Sequence, residues 1–130
     1  IAAGGMMVAS TGHATTVLYD QAANCSGGMP SVQALAFPNF TSEGADDVNV
    51  PAGQTWNVTQ VHAFGVYHFM FTGTAQSINL QFFANAAGIP GAAVAGCEYT
   101  GMVTFADSAG ALTIDLPSAC VLTGGNSGTT

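Results

Sequence analysis

The sequence contains no lysine and no arginine. Its only ionised side chains at neutral pH are seven acids: Asp20, Glu43, Asp46, Asp47, Glu98, Asp107 and Asp115. Charged residues therefore make up 5% of the 130 positions, against roughly 25% in an ordinary soluble domain. A chain without cations cannot release counterions from a phosphate backbone, which excludes nucleic acid as a partner. Anionic lipid surfaces are disfavoured for the same reason. The net charge of -7 favours solubility and draws in cations, calcium among them. Solvated faces must be built from Thr, Ser, Asn, Gln and Gly, a surface style expected of exported β-proteins.

Other absences narrow the chemistry. No apolar run reaches the ~20 residues of a membrane-spanning helix. None of the three cysteines shows CxxC spacing, so a zinc or redox site lacks support. No Gly-x-Ser-x-Gly elbow is present for a Ser-His-Asp set. Ser26-Gly-Gly lacks the following helix and lysine of a phosphate-cradling loop. Glycosidase chemistry needs two facing carboxylates, and the spacing of Glu98 with Asp107 or Asp115 does not recommend either pair. The expectation is a protein that is not an enzyme.

What is present points to strands. Apolar residues make up 48%, enough for one domain with a sizeable core. Helical periodicity is poor, and 17 glycines break the chain into short Val/Thr/Phe/Tyr runs. Strands are predicted at 15–19, 34–37, 46–50, 55–63, 66–71, 77–84, 92–99, 102–105 and 111–116, with a short one at 120–123. Turns are predicted at 26–30, 51–54, 72–74, 85–91, 107–110 and 124–126. Alternation is clear in places: Ile78, Leu80 and Phe82 share one face, and Leu112, Ile114 and Leu116 share another. Trp56 and Val58 start an inward set that shifts to Val61 and Ala63, which predicts a bulge near Thr59-Gln60. The predicted fold is all-β, an antiparallel sandwich of jelly-roll type. Its predicted core is Val17, Tyr19, Val48, Val50, Trp56, Val58, Ile78, Leu80, Phe82, Val94, Leu112, Ile114 and Leu116.

The chain divides into three parts. Residues 1–14 form an apolar run ending in Gly12-His-Ala14, read as the rear of an export signal. Residues 15–123 are the sandwich. Residues 124–130 read as a linker or a truncated end. Cys97 and Cys120 each lie in or beside a predicted strand. A bridge between them would close a loop of about 24 residues and contribute ~3 kcal/mol in the chain-entropy model. Cys25 is left over, and its partner would lie elsewhere. Three buried thiols is the competing reading.

Three stretches carry a resemblance: Thr16-Val-Leu-Tyr-Asp-Gln21, the run from Glu43-Gly-Ala-Asp-Asp47 through Val50-Pro-Ala-Gly-Gln-Thr-Trp56 to Val58, and the run from Asn79 through Gly88-Ile-Pro-Gly91 to Val94. They are similar to a group of exported bacterial β-sandwich proteins of unassigned function with the pattern "ADDF-VPAGQTW-V" and a Gly-x-Pro-Gly turn. Val48 stands where that pattern has Phe. The resemblance implies a signal peptide, a secreted sandwich and further strands after the Leu-Thr-Gly-Gly stretch. It implies no activity.

Candidate sites are few. Glu43, Asp46 and Asp47 form one acidic cluster that could offer carboxylates to Ca²⁺. The plainer reading makes Asp46 a turn cap and lets Asp47 face water. Tyr67, Phe69 and Phe71 alternate and could form a ring-stacking platform for sugars, although an aromatic stripe is more often core. His62 and His68 would lie about 20 Å apart on one straight strand, too far to share a metal, although a turn at Gly65 could bring them closer; His13 lies in the presumed signal. Asn24, Asn39 and Asn57 match glycan-acceptor spacing.

The expected function is a secreted, non-catalytic binding or adhesion module that takes an extracellular ligand or glycan. Two alternatives stand beside it. One is a structural subunit of a cell-surface layer or filament, pairing with copies of itself through open strand edges. The other is an accessory domain of a secreted hydrolase.

Overall fold

A computed structural model describes residues 5–11, 14–21, 38–67 and 75–125. Seven strands appear in it: β1 (Gly5–Thr11), β2 (Ala14–Asp20), β3 (Thr55–Phe64), β4 (Ile78–Asn85), β5 (Pro90–Met102), β6 (Ala106–Ser108) and β7 (Ala111–Thr123). The only helical turn among the described residues is a 3-10 turn over Pro38–Phe40. The strands form a five-stranded sheet in the order β2-β1-β3-β7-β6 and a two-stranded sheet of β4 and β5. Every pairing is antiparallel. The structure is thus all-β with two antiparallel sheets. Strand β1 falls inside the stretch read as an export signal, and its residues pair with both β2 and β3.

The core lies along β3 and β7 and against β4 and β5. Cross-strand partners on the inner face are Trp56 with Leu122, Val58 with Cys120, Val61 with Ile114 and Ala63 with Leu112. All but the half-buried Ala63 are buried, and Val58 and Cys120 have no exposed surface at all. Phe82, Cys97, Tyr99 and Met102 fill the opposite side from the two-stranded sheet. Ile78, Leu80, Val94, Leu116 and Tyr19, all expected in the core, are partly buried and pack against it.

Bulges set which side chains point inward. From Val58 to Gln60, β3 advances two residues while β7 runs five, from Cys120 to Asp115. The bulge expected near Thr59-Gln60 is there, and β7 carries the larger excursion around Pro117. A proline has no N–H for the ladder and fits a bulge. The carbonyl of Ser118, beside it, accepts the Tyr99 hydroxyl at 2.8 Å. The strands expected at 111–116 and 120–123 are therefore one strand interrupted by this bulge. A second bulge corrects the core expectation for Val17, which is 50% exposed. Tyr19 pairs with Met7 and Val17 with Val8, so Leu18 is an extra residue. One extra residue reverses the facing of everything beyond it, and Val17 turns outward.

The sheets are joined by a disulfide between Cys97 on β5 and Cys120 on β7, with Cα atoms 5.0 Å apart. The expected pairing is present. It is compatible with an oxidising, extracellular location. Cys25 lies outside the described residues.

Other expectations change. Residues 46–50 form no strand, although Val48 and Val50 are buried as alternation requires. Local side-chain bonds replace ladder bonds there: the Asp47 N–H donates to Asp46 Oδ1 at 2.9 Å and the Asp47 carbonyl accepts Gln21 Nε2 at 2.8 Å. This is the competition that Asp and Asn side chains offer to regular structure. The strand expected at 102–105 is the end of β5 followed by three residues outside any strand, and β6 was not anticipated. Val66 and Tyr67 lie outside any strand, and the rest of the strand expected at 66–71 falls outside the described residues, as does 34–37.

The turn over residues 51–54 explains the Pro-Ala-Gly-Gln-Thr-Trp segment. Gln54 N–H donates to the Pro51 carbonyl at 3.0 Å, and Gly53 has φ +79°. A positive φ at this third position defines a type II turn and favours glycine. Gln54 then turns its side-chain Oε1 to the Trp56 ring nitrogen, which donates at 3.0 Å. The buried indole is satisfied in this way. The end of β7 closes on the same turn, with Gly124 N–H donating to the Gln54 carbonyl at 2.8 Å.

A Cβ at Gly124 would sit 1.9 Å from the Pro51 carbonyl oxygen, whereas one at Gly125 would meet nothing within 4 Å. Gly124→Ala is expected to destabilise by roughly 1–3 kcal/mol, the usual range for forced overpacking, and Gly125→Ala by much less. Thermal melts of the two variants check this. Reduction of the disulfide is expected to lower stability by ~3 kcal/mol, measured by denaturant titration with and without reductant.

Candidate functional site

Two polar arrangements stand out. The first is at the β6 edge of the five-stranded sheet, where β6 and β7 join in a two-residue hairpin closed by the Ser108–Ala111 pair. Ala109 and Gly110 have φ +54° and +97°, the pattern of a type I′ turn. Asp107 Oδ1 accepts the Gly110 N–H at 2.9 Å. Its Oδ2 accepts the Tyr67 hydroxyl and, at 3.3 Å, the Ala75 N–H. The Tyr67 oxygen also accepts the Ala75 N–H, at 2.8 Å. Asp107 therefore holds residues 67 and 75 together against the hairpin. Gly65 N–H donates to the Gly110 carbonyl at 2.9 Å. A Cβ at Gly110 would lie 2.3 Å from the Gly65 oxygen, so space as well as φ requires glycine there.

These bonds shift both titrations. The Tyr67 hydroxyl, then the Gly110 N–H, hold the Asp107 carboxyl below its ordinary value. Burial, then the bond to Asp107, raises the Tyr67 phenol. The Tyr67–Asp107 pair is a structural pin: each of its three oxygens has a hydrogen-bond partner within the chain.

The second arrangement is on the outer face of the five-stranded sheet. The bulge that sends Val61 and Ala63 inward sends Gln60, His62 and Phe64 outward, at about 6.6 Å steps along β3. Their β7 partners are Asp115, Thr113 and Ala111. Gln60 Nε2 donates to Asp115 Oδ1 at 2.6 Å. Gln60 Oε1 lies 2.7 Å from His62 Nε2. The registers carry the row across the sheet: Asp20, Met6, His62 and Thr113 lie side by side, as do Val17, Val8, Gln60 and Asp115. Phe64 is 36% exposed, and its neighbour Ala111 is too small to cover the ring.

Tyr67 is half-buried with its hydroxyl engaged, and Phe69, Phe71, His13 and His68 lie outside the described residues. Glu43, Asp46 and Asp47 are exposed on the segment before β3. Among the described residues no group of three or more His, Cys, Asp or Glu side chains could hold a metal ion. Glu98 lies on the two-stranded sheet opposite Gln81, on the other sheet from Asp107 and Asp115. Among the described residues no helix is long and apolar enough to cross a membrane.

The outer-face group was missed in the sequence reading, which followed only the inward set after the bulge. Its signal was present, because residues 60, 62 and 64 share parity. The class defined so far is a disulfide-linked all-β domain of two antiparallel sheets. No protein-family model, no curated protein and no solved structure matches the chain.

The Asp107 pin has a defined pH window. A depressed carboxyl stabilises the fold above its unfolded value near pH 4 and loses that contribution as pH falls through its lower folded value. A raised phenol stabilises below about pH 10 and loses its contribution above that. The melting-temperature gap between the wild type and Asp107→Asn is expected to be present at neutral pH and to shrink as pH falls below about 4. Melts across a pH series measure it.

Proposed function

We propose that this chain is a secreted, non-catalytic binding module that takes a neutral carbohydrate on the outer face of its five-stranded sheet. The observation that carries the reading is the outer face itself. It offers an amide, an imidazole, a carboxylate and a hydroxyl beside an exposed aromatic ring, in a chain with no cation. Anionic ligands would meet a net charge of -7 with nothing to pair them. A sugar asks for hydrogen-bond partners and an apolar surface for its ring carbons, and both are here. The disulfide between the sheets supports an extracellular setting. The finer jelly-roll topology belongs to the same reading, supported by the two antiparallel sheets.

The test is an array of neutral and acidic glycans, with calcium and with chelator. Binding confined to neutral glycans is expected, and Phe64→Ala should weaken it about tenfold, near 1.4 kcal/mol. Loss on chelation would add a calcium requirement to the binding. Absence of all glycan binding, with concentration-dependent oligomers in light scattering, would replace this reading by the surface-layer subunit.

A further inference from the structure

We propose that Asp115 and Gln60 act together to fix His62 as a hydrogen-bond acceptor toward the ligand. The inference rests on the carbohydrate reading and adds the polarity of the contact. It follows from the direction of two bonds. An ionised carboxylate only accepts. Asp115 Oδ1, 2.6 Å from Gln60 Nε2, must therefore receive an N–H from the amide. That places the NH₂ of Gln60 on the β7 side and its carbonyl on the β3 side. The carbonyl oxygen also only accepts. His62 Nε2, 2.7 Å from it, must carry the proton. In a neutral imidazole the second nitrogen is then unprotonated. Nδ1 becomes a lone-pair acceptor.

The arrangement extends beyond one histidine. Asp115 is exposed and keeps its second oxygen as a further acceptor. The row thus presents acceptors from β3 and β7, with the Phe64 ring one step further along β3. Its partner is a ligand that donates: the hydroxyls of a sugar lying over the ring. Ethers and fully substituted sugars, which only accept, are rejected because they would leave these acceptors desolvated and unpaired. Gln60 is a positioning residue here, since it acts on the ligand through His62.

The tautomer can be read without any ligand. Two-bond ¹H–¹⁵N correlation spectra of the neutral imidazole, assigned by loss of its signals in His62→Gln, should show the proton on Nε2. Asp115→Asn offers an N–H as well as an oxygen, leaves Gln60 free to flip, and should mix the two tautomers. Gln60→Leu removes the relay and should mix the two tautomers. A proton on Nδ1 in the wild type overturns the proposal, as does a tautomer unchanged in Gln60→Leu.

The ligand arm uses hydroxyethylcellulose, dextran and galactomannan, each beside its O-methylated derivative. Methylation should weaken binding of any parent polymer at least about tenfold in the wild type, and by clearly less in Gln60→Leu. Equal binding of parent and methylated polymer overturns the polarity while leaving the carbohydrate reading intact. Failure of every parent polymer to bind overturns both.

Discussion

The register change between β3 and β7 decides which side chains the rest of the molecule can use. Before it, Trp56 and Val58 face inward against Leu122 and Cys120. After it, Val61 and Ala63 face inward against Ile114 and Leu112. Without that change, strict alternation would carry Gln60 and His62 into the core behind Val58. Burying an amide and an imidazole there without partners would cost several kcal/mol. With it, both polar groups reach the outer face, and among the described residues no polar or charged side chain is fully buried. The same excursion in β7 sets Cys120 against Cys97 and exposes the Ser118 carbonyl to Tyr99. One local irregularity therefore aligns the core, joins the sheets and builds the polar face.

A chain with so few charges must hold its surface together by other means. Neutral hydrogen bonds and charge-assisted bonds to carboxylates do that work. Asp107 gathers three donors from three different segments. Asn85 and Asn79 each accept a glycine N–H, from Gly88 at 2.6 Å and Gly101 at 2.7 Å, at irregular points of β4 and β5. Such bonds to ionised or amide oxygens have definite geometry and resist screening by salt better than exposed ion pairs. The carboxylates serve as acceptors and have no lysine or arginine to pair with. This makes the fold's stability respond to acid through Asp107 more than through any ion pair.

Much of the fold was legible in the residues. β-branched and aromatic runs marked β2, β3, β4, β5 and β7, and the Val61–Ala63 shift marked the bulge. The turn at 51–54 was legible from Gly53, because a type II turn favours glycine at its third position. Other features depend on long-range partners that no local pattern reveals. The segment that buries Val48 and Val50 without a strand is tied by Gln21, the residue after β2. The outward turn of Val17 needs an extra residue against β1. The role of Tyr67 needs Asp107, 40 positions away. Sequence periodicity reports facing along one strand. It does not report which strand lies alongside.

The two polar arrangements differ in how their hydrogen bonds are disposed. In the Tyr67–Asp107 group the acceptors converge on backbone N–H groups and one hydroxyl, and the result is closure of the fold on itself. In the Gln60–His62–Asp115 row both ends of the Gln60 amide are engaged, while His62 and Asp115 each use one of two polar atoms. Amide and imidazole groups pass direction along a row because their two ends differ, which two carboxylates could not do. A face ordered in that way has a polarity before any ligand arrives. Preorganised polarity lowers the ordering cost of binding. On the proposed reading it would also make the outer sheet selective for what a partner donates.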